Sequence, residues 1–405
     1  MYTKLIGHVD SDCFYVSAER VRRSHLQNVP CGVLGNQGAC VIAKSYELKA
    51  DGVKTGMPIW EAVKYSAHAV FVKRDFRWYE VVSKRMLDLL KTVSPSVEYY
   101  SIDEMFFDAN QLPRIYNCSM EKAAYCLQEQ IREKVGIPVS IGIAPSKTLA
   151  KLGSDTAKPY GCRVLLNSDD DFLKSQPVGE LCGVGGKSNL KLQAQGIHTC
   201  YDFIQADRIK IRNLLTVKGE ALWYELHGES VCPIVTRRPT HKAISRGGSI
   251  GHKSKDWNKI TGWLTRNIER LSEALNAAQL HTHLLTLSIQ FEDHTGWGQT
   301  VKLEEPTSDS GDLLGAAKQM MSCMPLDQCV SYMHLIADRL TPHGLVQKSL
   351  FKQRAPSAID QLKEAVNTKL GRFVIRSGDT LEVNDLYGDE ANNYEICDVS
   401  GKMCF

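Results

Sequence analysis

The stretch Tyr99-Tyr100-Ser101-Ile102-Asp103-Glu104-Met105-Phe106-Phe107-Asp108 constrains the fold more than any other. Two adjacent carboxylates interrupt an apolar, aromatic run. Neighbouring side chains of a strand point to opposite faces, so Asp103 and Glu104 cannot both be buried against one sheet face. The pattern predicts a hairpin with both acids at its mouth. Adjacent carboxylates repel, and burying even one without a partner is costly. A divalent cation relieves both effects. An exposed hairpin with solvated acids is the alternative, and this stretch alone leaves the two readings level.

A chain of 405 residues is long enough for two or more domains with real cores. Its formal net charge is only +3, so any nucleic-acid binding has to rest on local clusters. Thirteen cysteines, odd in number and without a CxxC pair, favour reduced thiols over disulfides or zinc, hence a cytoplasmic location. The segment from Met1 to Asp10 turns polar too soon for a signal peptide. No apolar run approaches the ~18 residues that span a bilayer, so a soluble protein without membrane contact is expected.

Lys4 to Val9 reads as a strand that delivers Asp10-Ser11-Asp12 to the start of a helix, where either acid could instead serve as a cap. Two short strands (29–34 and 39–43) precede the lysine-rich segment Lys44 to Pro58. Tyr46 and Lys49 share a face if that segment is helical, and a phenol beside an ammonium suits a phosphate; a solvated helix face is the plain alternative. A helix over 77–93 leads into the acidic hairpin. A helix over 120–135, a strand over 139–144 and a helix from about 145 follow, with Lys147, Lys151 and Lys158 clustered beyond the strand end. Alternating strands and helices to about residue 165 indicate an α+β domain.

Beyond that point the chain reads as short helices to about 232. Within them, Gly183-Val184-Gly185-Gly186-Lys187 opens a helix with its backbone N–H groups free for an anion, in the pattern of a helix–hairpin–helix that grips nucleic-acid backbone. A plain turn between helices is the competing reading. The stretch 236–255 is basic and acid-free, including Arg237, Arg238, Lys242 and Arg246, and reads as an extended, flexible phosphate-tracking segment. Helix and strand patterns over 257–340 form a second α+β unit, and a helix is expected over 358–370.

The ordered set of Val9-Asp10-Ser11-Asp12-Cys13-Phe14-Tyr15, Tyr46 to Pro58, Ser101-Ile102-Asp103-Glu104 and Lys147 to Pro159 resembles a Y-family (translesion) DNA polymerase, most closely its bacterial UmuC-type branch. The resemblance covers nearly the whole chain. It implies a right-hand architecture: palm 1–15 and 73–165, small fingers 16–72, helical thumb 166–232, linker 233–243, α+β little finger 244–342 and tail 343–405. It further implies low-fidelity, template-directed addition of dNTPs to a primer 3′-hydroxyl on primer–template DNA.

By the same resemblance Asp10, Asp103 and Glu104, with the carbonyl of Ser11, hold two Mg²⁺ ions, Mn²⁺ being the alternative ion. Asp12 matches no ligand position. Tyr15 matches the steric gate against a ribose 2′-hydroxyl, and Phe14 packs beside it. Tyr46, Lys49 and Lys158 match triphosphate contacts, Lys49 standing where many members have arginine and so lacking the bidentate fork. Ile42 and Gly56 match residues over the nascent base pair. Gly183, Gly185, Lys187 and Arg246 match DNA-backbone positions. Gln347, Leu350 and Phe351 match a peptide that docks on the sliding clamp; a UmuD-like protein or a recombinase filament is the other partner the branch suggests. The tail beyond that peptide separates the UmuC type from the DinB type, which is kept as an alternative. A non-catalytic scaffold of the same fold and a nucleotidyl cyclase are disfavoured, the first because all three acids are present, the second by the basic segments and the clamp-like peptide.

Overall fold

Strand β1 (Ile6–Ser11) is buried at every position, and the elements of the first half of the chain assemble around it. The computed structural model describes residues 4–35, 40–166, 170–237, 240–325, 327–345 and 358–388. The chain divides into two units between residues 238 and 239.

In the first unit β1 runs into helix α1 (Phe14–Arg22). Strands β2 (Cys31–Leu34) and β3 (Val41–Lys44), then helices α2 (Tyr46–Ala50) and α3 (Ile59–Tyr65) and strand β4 (Val70–Lys73), make a small separate layer. Its three-stranded sheet has the order β3-β2-β4, with Val33, Val41, Leu48 and Ala62 closed off from solvent. Helix α2 starts at Ser45, whose side chain accepts the Leu48 N–H. Helix α4 (Phe76–Val93) buries Tyr79, Val82, Met86, Leu89 and Leu90 at helical spacing. Strands β5 (Val97–Tyr99) and β6 (Glu104–Asp108) pair antiparallel, so the expected hairpin forms with Asp103 in its turn.

Helices α5 (Leu112–Tyr116) and α6 (Met120–Val135), strand β7 (Val139–Ala144), helix α7 (Lys147–Ala157) and strand β8 (Cys162–Val164) follow. The five-stranded sheet has the order β5-β6-β1-β7-β8. β1 is antiparallel to both its neighbours, and β8 is parallel to β7. Helices α8 (Asp170–Ser175), α9 (Gly186–Gln193), α10 (Cys200–Gln205) and α11 (Arg208–Leu226) close the unit. Where short helices were expected, α11 spans 19 residues, but it is two helices end to end, broken at Thr216 with φ 68°. Phe172, Leu181, Leu192 and Phe203 of this region share a core with Ile6, Phe106 and Ala150 of the sheet layer.

The second unit is a four-stranded antiparallel sheet, β9 (Ala243–Ser254), β10 (Leu280–Phe291), β11 (Gly296–Thr307) and β12 (Val330–Pro342), in the order β11-β10-β12-β9. Helices α12 (Trp257–Ala277) and α13 (Ser310–Met321) cover one face, with Leu264, Ile268, Leu285, Leu287 and Leu335 between the layers. The segment read from sequence as flexible is therefore a ladder-bonded strand from Ala243 onward. Helix α14 (Ala358–Leu370) has the expected limits. After it the chain returns as a helical turn over 378–387 that lies on α12. Glu269 accepts the Ser377 N–H at 2.9 Å and pairs with Lys363, and Lys318 reaches Asp379 at 2.7 Å. This strap explains how α12 buries Glu269 on the side away from the sheet.

Candidate active site

Asp10 lies directly opposite Glu104 on β6 and Ser140 on β7. Residues opposed across a ladder share a face, so the Asp10 and Glu104 carboxylates converge. The Ser11 N–H donates to the Asp103 carbonyl at 2.9 Å, which ties the hairpin turn to the end of β1. The turn that carries Asp103 is thus held beside the strand end that carries Asp10, and Glu104 is the first residue of β6.

Helix α7 covers that face, and Gly142 is what lets it approach. A Cβ at residue 142 would lie 1.9 Å from the Ala150 carbonyl oxygen and 2.5 Å from the Ser154 nitrogen. The close approach brings the lysines to the acids. Lys158 Nζ donates to Asp10 Oδ2 at 2.7 Å, and Lys151 donates to Glu104. Lys147 is turned aside onto Glu98 at 2.8 Å. Asp155 lies 3.6 Å from the Lys151 ammonium and 3.5 Å from that of Lys158.

Carboxylate oxygens of Asp10, Glu104 and Asp155 fall within 4.8 Å of one another. Asp155 was not among the expected residues. Its signal was present in the sequence as Lys151 and Asp155, four apart and so on one face of a helix following the strand. Asp103 stands outside that group of three; its side chain accepts from Ser101 Oγ at 2.5 Å. Burial pushes the Asp103 carboxyl up, and the charge of Glu104 adds to the effect. Asp10 is pushed up to about 7: burial raises it, Lys158 opposes and Glu104 reinforces. Burial pulls Lys151 down, but Glu104 outweighs this and holds its ammonium above its ordinary value. The convergent donors are all carboxylate oxygens, each already drawing a cationic partner, and such a set fits a hard divalent ion.

Tyr15, at the start of α1, stacks on Tyr79 of α4 with ring centroids 4.7 Å apart and planes 19° apart. Tyr79 is fully buried, and its hydroxyl donates to Glu19 at 2.9 Å, so the surface behind Tyr15 is fixed. Phe14 is buried beside it, 5.7 Å away. The Tyr15 phenol is pushed up to about 12 by burial and by the charge of Asp103. Tyr46 opens α2 with its hydroxyl 3.3 Å from Asp12, while Lys49 on the same helix is exposed.

Asp12 does not cap α1. Cys13 occupies the cap position in the left-handed region (φ 48°) without a side-chain bond, and the Asp12 carboxylate turns inward instead. Gly183, at φ 98°, lies in the exposed turn before α9, Gly185 is the residue preceding that helix, and Lys187 is exposed on its first turn. Arg246 is placed otherwise than expected. It is opposite Leu335 on β12, a core residue, and only 8% exposed, so it sits on the helix-covered face and not on the open one. Its same-face partner Ile244, two residues earlier, follows the strand period that the basic composition masked. Gln347, Leu350 and Phe351 lie outside the described residues. No helix among the described residues is long and apolar enough to cross a membrane.

Residues 9–155 match the impB/mucB/samB family, and residues 241–350 match that family's C-terminal domain. The chain is 30% identical over 390 residues to DNA polymerase IV 1 of Bacillus subtilis (strain 168), covering 94% of each chain. The chain belongs to the impB/mucB/samB family of Y-family translesion DNA polymerases. It is also 32% identical over 367 residues to Protein ImpB of Salmonella typhimurium, covering 86% of this chain and 85% of that one. A Y-family DNA polymerase chimera of Dbh and Dpo4 superposes with a TM-score of 0.70 at 22% identity, over 84% of this chain and 99% of the other, which establishes the shared fold. Both family matches coincide with structural features: the first spans the acids with Lys147 and Lys151 of α7, the second the four-stranded unit.

Proposed function

We propose that this chain extends a primer 3′-hydroxyl with dNTPs on a DNA template, at low fidelity and across damaged bases. The observation that carries the reading is the convergence of Asp10 and Glu104 across β1 and β6, with Asp103 at the adjoining turn, under Lys151 of α7 and Lys158 of the turn after it. Asp10, Asp103, Glu104 and the Ser11 carbonyl are the groups that would hold two Mg²⁺ ions, or Mn²⁺ in their place. Ions held there would supply a lowered pKa at the attacking hydroxyl and a counter-charge for the leaving pyrophosphate.

The chain's own residues do the rest. Lys158, Tyr46 and Lys49 receive the triphosphate; an ammonium released from Asp10 neutralises phosphate charge without leaving the site. Tyr15, backed by Tyr79, excludes a ribose 2′-hydroxyl, and Phe14 keeps its ring upright. The exposed turn of Gly183, Gly185 and Lys187 offers N–H groups and an ammonium to DNA phosphates. In the second unit we assign the DNA-facing role to the open sheet face, where Thr286, Thr300 and Lys302 stand, rather than to Arg246. By domain, 1–15 and 73–165 act as palm, 16–72 as fingers, 166–232 as thumb and 244–342 as little finger. Gln347, Leu350 and Phe351 dock a sliding clamp, as in the UmuC-type branch.

Primer extension with Mg²⁺ tests the reading. Wild-type protein extends a primer, and Asp103→Ala abolishes extension while primer–template binding persists. Failure of the wild type under every dNTP and metal condition sinks the polymerase assignment. Unchanged activity in Asp103→Ala removes that residue from the metal site.

A further inference from the structure

Asp12 is 2% exposed and carries a carboxylate with three separate donors. Its Oδ2 accepts the Tyr160 backbone N–H at 2.6 Å. Its Oδ1 accepts the Ser140 hydroxyl at 3.1 Å and the Tyr46 hydroxyl at 3.3 Å. Its own backbone is pinned as well: the N–H donates to the Pro138 carbonyl at 3.0 Å, and the carbonyl accepts from Ser17 Oγ at 2.5 Å. A carboxylate buried this deeply is costly unless every lone pair is used, and here the donors come from α2, from β7 and from the turn after α7.

That turn is Lys158-Pro159-Tyr160. Tyr160 has a left-handed backbone (φ 48°), a conformation that L side chains rarely adopt and that needs outside support. Asp12 supplies the support at the N–H, and Glu129 holds the other end of the residue, accepting the Tyr160 hydroxyl at 2.6 Å. Fixing Tyr160 fixes Lys158 two residues earlier. The bond to Tyr46 is long at 3.3 Å, so the phenol hydroxyl can donate to a phosphate oxygen instead while the turn stays in place.

We propose that Asp12 is a positioning residue for nucleotide binding: one buried carboxylate sets the turn that carries Lys158 and holds the Tyr46 phenol alongside it. This rests on the reading that Lys158 and Tyr46 receive the triphosphate.

The test is steady-state primer extension by the full chain, with kcat and the dNTP KM measured separately for Asp12→Ala, Asp12→Asn, Lys158→Ala, Tyr46→Phe and the double variant Asp12→Ala/Lys158→Ala. Asp12→Ala is expected to raise KM by about tenfold, the effect of one charge-assisted hydrogen bond, with a smaller change in kcat. In the Lys158→Ala background the same substitution should add clearly less, the remainder being the Tyr46 contact. Asp12→Asn keeps one oxygen for the Tyr160 N–H, so it should recover most of the loss. If Asp12→Ala does not fold, judged by circular dichroism, Asp12→Asn and Asp12→Asn/Lys158→Ala take its place, with a KM rise of about threefold that again shrinks without Lys158. A KM rise that persists undiminished without Lys158, or no KM rise in any folded Asp12 variant, overturns the proposal. If Lys158→Ala and Tyr46→Phe both leave KM unchanged, the triphosphate reading has failed and this inference falls with it. If they raise KM and the Asp12 variants do not, the reading stands and the inference alone is lost.

Discussion

Asp10 and Glu104 face each other across the β1–β6 ladder, and each takes a different ammonium from the α7 segment, Lys158 on Asp10 at 2.7 Å and Lys151 on Glu104. Two acids held this close share one electrostatic problem. Burial and the neighbouring charge leave the Asp10 proton leaving only at about 7, despite Lys158.

This gives a pH dependence with a definite sign. A cation binds the ionised carboxylate, so below about 7 it competes with the Asp10 proton. The Mg²⁺ concentration for half-maximal primer extension should therefore rise as pH falls from about 8 to about 6, approaching tenfold per pH unit at the acid end. A Mg²⁺ midpoint that does not move over that range would separate Asp10 from metal binding.

The glycine under α7 gives a second prediction. In Gly142→Ala the added Cβ meets backbone atoms of Ala150 and Ser154, which cannot rotate away. The helix must lift, carrying Lys151 and Lys158 off their acids. The variant should lose about 2 kcal/mol or more of stability, as overpacked cores do. It should also lose extension activity while every residue of the site is still present. A well-folded Gly142→Ala protein with wild-type activity would mean that α7 does not set the lysines.

Much of this was legible in the sequence, and the parts that were not share a cause. Helix α6 has the limits read for it because both its ends are written locally: Ser119 accepts the Lys122 N–H, and Gly136 takes the left-handed exit at φ 87°. The acidic hairpin was legible because two adjacent carboxylates in an aromatic run admit few backbone solutions. Asp155 was not, because one acid between two lysines on a helix has the composition of a solvated face. Asp12 was read as a possible cap or a bystander because its partners Ser140 and Tyr160 lie 128 and 148 residues away. The strap over α12 was hidden likewise, Lys363 being 94 residues from Glu269. Local signals give elements; a buried charge takes its meaning from partners that only the tertiary fold supplies.

The support behind the steric gate yields a third prediction. Tyr15→Ala should raise ribonucleotide incorporation by removing the ring itself. Tyr79→Ala leaves that ring in place but takes away the surface on which it stacks at 4.7 Å. Sugar discrimination should fall in the same direction, by a smaller factor, at a stability cost of about 3–5 kcal/mol for the lost buried ring. Tyr79→Phe keeps the stack and loses only the bond to Glu19. Competing incorporation of dNTP and rNTP at one template position measures all three; Tyr79→Ala with wild-type discrimination would show that Tyr15 stands without help.

Glu225 marks where the helical region is fastened to the sheet layer. It is fully buried at the end of α11, and its carboxylate accepts three backbone N–H groups: Thr148 in the first turn of α7 at 3.0 Å, and Val231 and Cys232 at 2.9 Å each. Ser146 Oγ donates to the Glu225 carbonyl, so both ends of the residue hold the start of α7. A negative charge at a helix N-terminus is favourable, and three N–H donors satisfy it where water cannot reach. Glu225→Ala leaves three part-buried donors without their acceptor, at a cost of about 3 kcal/mol. Glu225→Gln keeps the shape and one acceptor and should cost less. Thermal or denaturant unfolding of the full chain should show the first transition moved to lower temperature or denaturant in the order wild type, Gln, Ala. Because α7 also carries Lys151, the Ala variant should lose activity below its unfolding midpoint. An Ala variant as stable as wild type would assign the fastening to the shared apolar core instead.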